Sequence, residues 1–389
     1  MGRIARRWIA TIVSASLLAL AVGGPSRSSA TATPVSISAL RPIGPDGAWV
    51  WLDRSSSHTA SSRYAEEIAL TLDGGRSWLV RTPPGLATAN ADRSIVQLAA
   101  AGTADAWVSY AGVTTGSPQT LVATTDGGRR WRRRGRLPSP YCALQFLSAE
   151  VGWCVTTLAA TGTEAVTVYR TGDGGRHWTL ESASASPQQP GTPGSLPVGC
   201  DKILALTAPT VGWAALECPT GLSPMYESVD AGKTWRRQSV AAPPAGYRLG
   251  SDATALWTSA PVSKGAMAAA GLEVEAADVR SLVYRSTDAG HIWFPVSPPG
   301  TPRRWSVDVV TPTIWKLSSG RTVLTTTDAG ASWRTVASDL ALPVQGGPLF
   351  VSAEDGWYVS SSQRTLYRTH SGGAAWKPVR LPRLPRRAP

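Results

Sequence analysis

Thr124-Thr125-Asp126-Gly127-Gly128-Arg129-Arg130-Trp131 is the stretch that decides the fold, because it recurs. The frame Ser/Thr-x-Asp-x-Gly-x-x-Trp returns at Thr71 to Trp78, Thr171 to Trp178, Ser228 to Trp235, Ser286 to Trp293 and Thr326 to Trp333. A seventh copy, Thr369 to Trp376, carries Ser371 in place of the acid. Asp followed by Gly-Gly or Ala-Gly is turn chemistry. The carboxylate accepts from backbone N–H groups just ahead of it, and Gly supplies the positive φ the turn needs. The Ser/Thr hydroxyl adds a second side-chain-to-backbone bond. Each turn is entered from a short apolar run, such as Leu121-Val122-Ala123, and leaves through Trp into another strand. That is a hairpin signature. An acid recurring at a repeat period reads as a turn former rather than a catalyst.

Outward from this frame, a second motif precedes each copy. It is a Trp in a short strand, usually after an acidic or Gly turn: Trp49, Trp107, Trp153, Trp213, Trp257, Trp315 and Trp357. A further β-like run lies before most of these, as at Ile95 to Leu98 and Ile203 to Leu206. Each repeat therefore carries four strands, and several four-stranded units in one chain predict a propeller. The frame aspartates Asp73, Asp126, Asp173, Asp230, Asp288 and Asp328 are spaced 40 to 58 residues apart, which suits single blades plus loop insertions. The frame Trp residues are Trp78, Trp131, Trp178, Trp235, Trp293, Trp333 and Trp376. With the second-motif set and Trp8 they leave only Trp51 and Trp305 of the 17 Trp unassigned, so the Trp content reads as blade packing rather than a sugar platform.

On these residues the chain resembles the BNR/Asp-box repeat propellers of the sialidase superfamily, and the pairing with a Gly-Trp strand looks most like the photosystem II stability/assembly factor-like branch. The resemblance implies an all-β fold, a single seven-bladed β-propeller of four-stranded antiparallel blades with Asp-box turns. It places each box between the third and fourth strands at the outer rim. It also makes blade stability, not catalysis, the role of the box acids.

The organisation expected is a signal peptide over 1–32, the propeller over 33–382 and a basic Arg/Pro-rich tail over 383–389. Arg3, Arg6 and Arg7 precede an apolar run from Trp8 to Val22, and Ala30-Thr31-Ala32 offers a cleavage site. Cleavage or retention as an anchor, and Sec or twin-arginine export, stay open. No later segment reads as a membrane span. An extracellular or envelope-associated monomer is expected.

Four Cys suit one or two disulfides in such a protein. If Leu206 faces Trp213, Cys200 lies opposite Cys218 with one residue of slack, and that pair is the first choice. The same register puts Cys142 and Cys154 on opposite faces, leaving pairing through a bulge or across blades. The four His residues have no ligand spacing, so no metal and no cofactor is expected.

Net charge is +12; losing residues 1–32 removes four Arg and no acid, which leaves +8. Arg129, Arg130, Arg132, Arg133, Arg134 and Arg136 are the densest basic run. It reads either as a solvated edge strand that resists edge pairing or as a contact for an anionic partner. No nucleic-acid recognition motif accompanies it.

The functional expectation is an exported, non-catalytic scaffold binding an unknown protein or an anionic cell-envelope polymer. The alternative is a sialidase-like glycoside hydrolase acting on an extracellular glycan. No sialidase constellation is recognisable, and among Asp53, Glu66, Glu67, Glu164, Asp252, Glu273 and Asp308 no spacing selects the two carboxylates such chemistry needs.

Overall fold

The computed structural model describes residues 35–382 apart from 55–64, 87–92, 113, 115, 159–163, 186–189, 207, 218–224, 239–253, 259–268, 274–281, 286–293, 297–304, 312 and 344–345. The signal reading at 1–32, the tail at 383–389, Asp252, Asp288, Trp293, Cys218, His58 and His291 lie outside the described residues.

Each repeat folds next to its own turns. Repeat one gives β1 (Ser36–Pro42), β2 (Ala48–Arg54), β3 (Ala65–Thr71) and β4 (Leu79–Val80). Repeat two gives β5 (Arg93–Ala100), β6 (Ala106–Gly112), β7 (Thr120–Thr124) and β8 (Arg132–Arg136). Repeat three gives β9 (Cys142–Phe146), β10 (Gly152–Leu158), β11 (Ala165–Thr171) and β12 (Thr179–Ala183). Repeat four gives β13 (Asp201–Leu206), β14 (Gly212–Glu217), β15 (Met225–Ser228) and β16 (Arg236–Gln238). Repeat five gives β17 (Thr254–Thr258), β18 (Ala269–Glu273), β19 (Leu282–Arg285) and β20 (Phe294–Pro295). Repeat six gives β21 (Ser306–Val309), β22 (Trp315–Thr326) and β23 (Arg334–Leu342). Repeat seven gives β24 (Leu349–Phe350), β25 (Gly356–Val359), β26 (Leu366–Thr369) and β27 (Lys377–Val379).

The architecture is an all-β propeller of antiparallel sheets, each in sequence order. The expectation of seven four-stranded blades is corrected. Among the described residues six blades are four-stranded, from repeats one to five and seven, while repeat six forms a three-stranded sheet. There the residues read as a second and a third strand are one twelve-residue element, β22. It pairs with β21 through Trp315–Ser318 and with β23 beyond Gly320. The element doubles back on itself around Gly320, since Lys316 Nζ lies 2.9 Å from Thr325 Oγ1 nine residues on, and the φ of 55° at Gly320 suits a residue without a Cβ.

First strands of successive repeats touch one another, β1 with β5, β5 with β9, β13 with β17 and β17 with β21, so they surround the axis and the fourth strands form the rim. Among the described residues no strand is shared between the ends of the chain, since β1–β4 and β24–β27 are separate four-stranded sheets. The ends are joined by other contacts. Ile37 N donates to Gln363 O at 2.7 Å. Trp357 Nε1 donates to Gly44 O at 3.2 Å, and Trp78 Nε1 to Arg380 O at 2.8 Å. Arg368, only 7% exposed, reaches Asp46 Oδ1 at 2.6 Å.

Hydrophobic packing lies between sheets. One cluster joins Trp107, Leu121 and Ala123 of repeat two to Cys142, Phe146 and Cys154 of repeat three. Trp49, Trp107, Trp153, Trp213, Trp315 and Trp357 are all buried. A flat side chain on the second strand can cover the face of the following sheet, and burying apolar area there drives the ring together.

Candidate functional site

The recurring turns have a common wiring. In repeat one, Thr71 Oγ1 donates to Asp73 Oδ1 at 3.0 Å and accepts from Gly75 N at 2.8 Å. Asp73 then accepts from Ser77 N at 2.9 Å and from Ser77 Oγ at 2.5 Å. Asp126, Asp173, Asp230 and Asp328 accept likewise from the backbone N–H of Arg130, His177, Thr234 and Ser332. In repeat seven, Ser371 Oγ accepts from Ala375 N at 2.9 Å, and the Gly373 N to Thr369 Oγ1 bond lengthens to 3.2 Å. Ser77 holds Asp73 down at about 2, and Ser332 does the same for Asp328. Asp126 is lowered chiefly by the Arg130 N–H. For Asp173 and Asp230 burial pushes up, but bonds from His177 and Thr234 prevail and the carboxyls are lowered.

The buried member of the frame is the hydroxyl. Thr71, Thr124, Thr171, Ser228, Thr326 and Thr369 are buried, whereas the acids are partly exposed. Thr124→Val is therefore expected to cost about 1–3 kcal/mol, because it leaves the buried Gly128 N–H without its acceptor. Asp126→Ala should cost less, since the exposed Arg130 N–H can turn to water. Urea midpoints of the two variants check the order, and an equal or larger loss for Asp126→Ala would reverse the assignment.

The frame Trp residues tie neighbours together. Trp131 Nε1 donates to Arg81 O of the previous repeat at 2.8 Å, and Trp333 Nε1 to Val296 O at 2.9 Å. Trp235 Nε1 is shared between Gly232 O of its own turn at 3.1 Å and Ser182 Oγ of repeat three at 3.3 Å, while Trp376 turns back onto Gly373 O. Trp178 packs edge-on to Phe146 with centroids 6.2 Å apart.

The basic run occupies a turn and an outermost strand. Arg129, Arg130, Arg132, Arg133 and Arg136 are exposed, and Arg134 is half-buried. A bulge divides them. Arg133 pairs with Val122 and Gly135 with Leu121, so Arg134 is the extra residue. Arg136 pairs with Thr120, two residues from Val122, so Arg133 and Arg136 share a face. Val122 packs toward repeat one and Ala123, opposite Arg132, toward repeat three. Arg134 turns toward repeat three, where a Cβ on Gly174 would lie 3.8 Å from its Cζ.

Cys142 and Cys154 are disulfide-bonded, with Cα atoms 5.2 Å apart. This corrects the opposite-face register. Phe146 pairs with Gly152 and Cys142 with Thr156, one residue off the assumed alignment, so the two Cys are diagonal neighbours on one face without a bulge. Leu206 likewise pairs with Gly212 rather than Trp213. Cys200 is also disulfide-bonded; its proposed partner Cys218 lies outside the described residues. His177 Nδ1 lies 2.6 Å from Asp173 Oδ2 and His370 Nδ1 lies 2.5 Å from Asp355 Oδ1.

Two of the described loop acids face each other. Asp53 is directly opposite Glu66 on β2 and β3. Burial pushes both up, Glu66 to about 7. Glu66 Oε2 also accepts from Ile95 N of the next inner strand at 2.6 Å. Asp308 Oδ2 does the same for Phe350 N at 2.5 Å, and Glu164 for Lys202 N. Gln97 reaches Leu144 N and Cys142 O, and Gln145 reaches Leu206 N and O. These side chains satisfy the free backbone edge of the next innermost strand.

Sequence reasoning passed over Gln97 and Gln145, though polar residues inside apolar inner-strand runs were a visible signal. It also passed over Lys316, buried with Nζ 2.9 Å from Thr325 Oγ1 and 2.6 Å from Ala353 O of repeat seven. Among the described residues no helix is long and apolar enough to cross a membrane.

No family model matches the sequence, and no curated protein matches it. Solved structures do. The photosystem II assembly factor YCF48 bound to D1 peptide is similar at 16% identity, over 88% of this chain and 90% of that one, with a TM-score of 0.47. The β-propeller domain of the Trilobed protease from Pyrococcus furiosus, described as having an open velcro topology, matches at 8% identity over 90% and 96%, TM-score 0.51. The Hadza microbial sialidase Hz136 matches at 13% over 78% and 66%, TM-score 0.39. At such identities these structures speak for the β-propeller fold alone.

Proposed function

We propose that the chain is an exported, monomeric binding scaffold whose outer edge at repeat two contacts an anionic protein or envelope polymer. One observation carries this reading. The frame acids are engaged by their own turns, while Arg129, Arg130, Arg132, Arg133 and Arg136 stand exposed along the turn and rim strand β8. A strand rises about 3.3 Å per residue, so these cations form an extended strip suited to a polymer or a protein surface. The bulge at Arg134 and the like charges disfavour pairing with another strand there. The Cys142–Cys154 disulfide is compatible with export.

With dextran sulfate as the anionic probe, binding is expected at low salt and to weaken steeply toward physiological ionic strength, where exposed charges are screened beyond about 8 Å. Replacing Arg130, Arg133 and Arg136 with Ser should weaken that binding at least tenfold with an unchanged melting temperature. Binding that survives both the substitutions and high salt would overturn the assignment.

The glycosidase reading is favoured by one observation, the Asp53–Glu66 pair. Its test is turnover of sialoside and β-glucan substrates. We expect none, because Glu66 is engaged with Ile95. Turnover abolished by Glu66→Gln would establish the enzyme instead.

A further inference from the structure

The repeats act as internal controls for one another at the junctions between sheets. The residue three places after the frame Trp packs on the glycines of the next repeat's turn. A Cβ on Gly128 would meet Arg81 Cβ at 2.7 Å, and one on Gly330 would meet Val296 Cγ2 at the same distance. Arg134 reaches the following turn through its guanidinium instead, its Cζ 3.8 Å from a Cβ placed on the first turn glycine, Gly174. Each such junction therefore presents three positions: the residue after Trp, the residue two further on, and the variable turn residue after Gly.

Of four such junctions, one stands apart at these three positions. From repeat one to two they are Leu79, Arg81 and Arg129; from three to four, Thr179, Glu181 and Lys233. The latter pair opposite charges, since Lys233 acts on Glu181. From seven to one they are Lys377, Val379 and Arg76. From two to three they are Arg132, Arg134 and Arg176, all cationic. A Cβ on Gly135 would lie 3.9 Å from Arg176 O, which places the bulge beside the turn of repeat three. Arg134 Nε is buried without a hydrogen-bond partner, as is Arg81 Nε at the equivalent place one repeat earlier, so the charge of the junction and not this atom sets it apart.

The local acid does not neutralise this group. Asp173 Oδ1 accepts from Thr171 Oγ1, Arg176 N and His177 N, and Oδ2 faces His177 Nδ1. Arg176 Nη1 donates to the Asp173 carbonyl at 3.2 Å, not to its carboxylate. Three guanidinium groups against one carboxylate leave two positive charges in excess. Burial first, then Arg176 and Arg132, push the Arg134 guanidinium down from its ordinary range, with Asp173 opposing.

We propose that Arg132, Arg134 and Arg176 form an anion site at the junction of repeats two and three that takes a phosphoryl dianion. A phosphomonoester carries about −1.5 to −2 at neutral pH and offers three acceptor oxygens, which matches the excess charge and the fork-like donors. The proposal rests on the anionic-partner reading above and sharpens it from a strip of charge to one chemical group.

The test is calorimetric titration of the full mature chain with inorganic phosphate in low-salt buffer, with acetate as the monoanionic comparison. Phosphate should bind measurably more tightly than acetate. Arg176→Ser should weaken phosphate binding about tenfold, the effect of one lost charge-assisted contact. Arg81→Ser, at the equivalent place one repeat earlier, should leave it unchanged. Arg132→Ser serves as a second variant should Arg176→Ser fail to fold. Equal binding of acetate, or phosphate binding indifferent to Arg176 and Arg132, overturns the site. The outcome is separable from the broader reading. Loss of dextran sulfate binding on replacing Arg130, Arg133 and Arg136, with phosphate binding intact, keeps both. Phosphate binding without any dextran sulfate binding keeps the site and removes the strip.

Discussion

Truncating Trp107 to Ala is expected to cost about 3–5 kcal/mol, the range for deleting a large buried aromatic. Trp107 is 0% exposed and stacks on Phe146 of the following repeat with ring centroids 3.8 Å apart. Its Nε1 donates to Gly174 O at 3.1 Å in that repeat's turn. The substitution therefore opens a cavity between two sheets and leaves a buried carbonyl unpaired, so the two repeats should loosen together. Denaturant unfolding gives the size of the loss. Hydrogen exchange should show β9 and β10 losing protection along with β6. A loss confined to repeat two, or below about 1 kcal/mol, would mean that the sheets are held by their strands and not by the Trp between them.

The second large effect is a pH dependence. Glu66 and Asp308 sit against the backbone edge of the next inner strand, and burial raises them to about 7 and about 6. Groups raised in the folded state contribute stability that is fully present below their unfolded values. That contribution is lost as pH rises through the folded ones. The frame acids run the other way. Asp73 and Asp328, held at about 2, support the fold above their unfolded values and cease to do so as pH falls toward 2. Lys316, lowered by burial to about 8, changes stability only above that pH. Maximum stability is thus expected near pH 4–5, with the melting temperature at pH 5 several degrees above that at pH 8. Asp53 opposite Glu66 and Lys316 beside Asp308 are the charged neighbours in play. Glu66→Gln with Asp308→Asn keeps an acceptor oxygen for Ile95 and Phe350 while removing the titration, so it should flatten the profile. A double variant with the same slope between pH 5 and 8 would place the dependence elsewhere.

By itself the sequence determined the all-β propeller class, the antiparallel repeats and the turns between the third and fourth strands. The reason is locality. Thr-x-Asp-x-Gly-x-x-Trp closes its hydrogen bonds within about five residues, as Thr124, Asp126, Gly128 and Arg130 do, so adjacent residues suffice to encode it. Tertiary structure decided what depends on register and on neighbours. In a strand one residue of slip exchanges the two faces, and one such slip separated the assumed alignment of Leu206 from the observed one and hid the Cys142–Cys154 pairing. The single extra residue at Arg134 turned one basic run into two groups, one sharing Arg133 and Arg136 and one facing Arg176. The merging of two expected strands into β22 came from a reversal around Gly320 so tight that no loop residue separates them. Arg176 became visible only when repeat three lay against repeat two, because its partners are about 40 residues away in the chain and meet it only across a sheet junction.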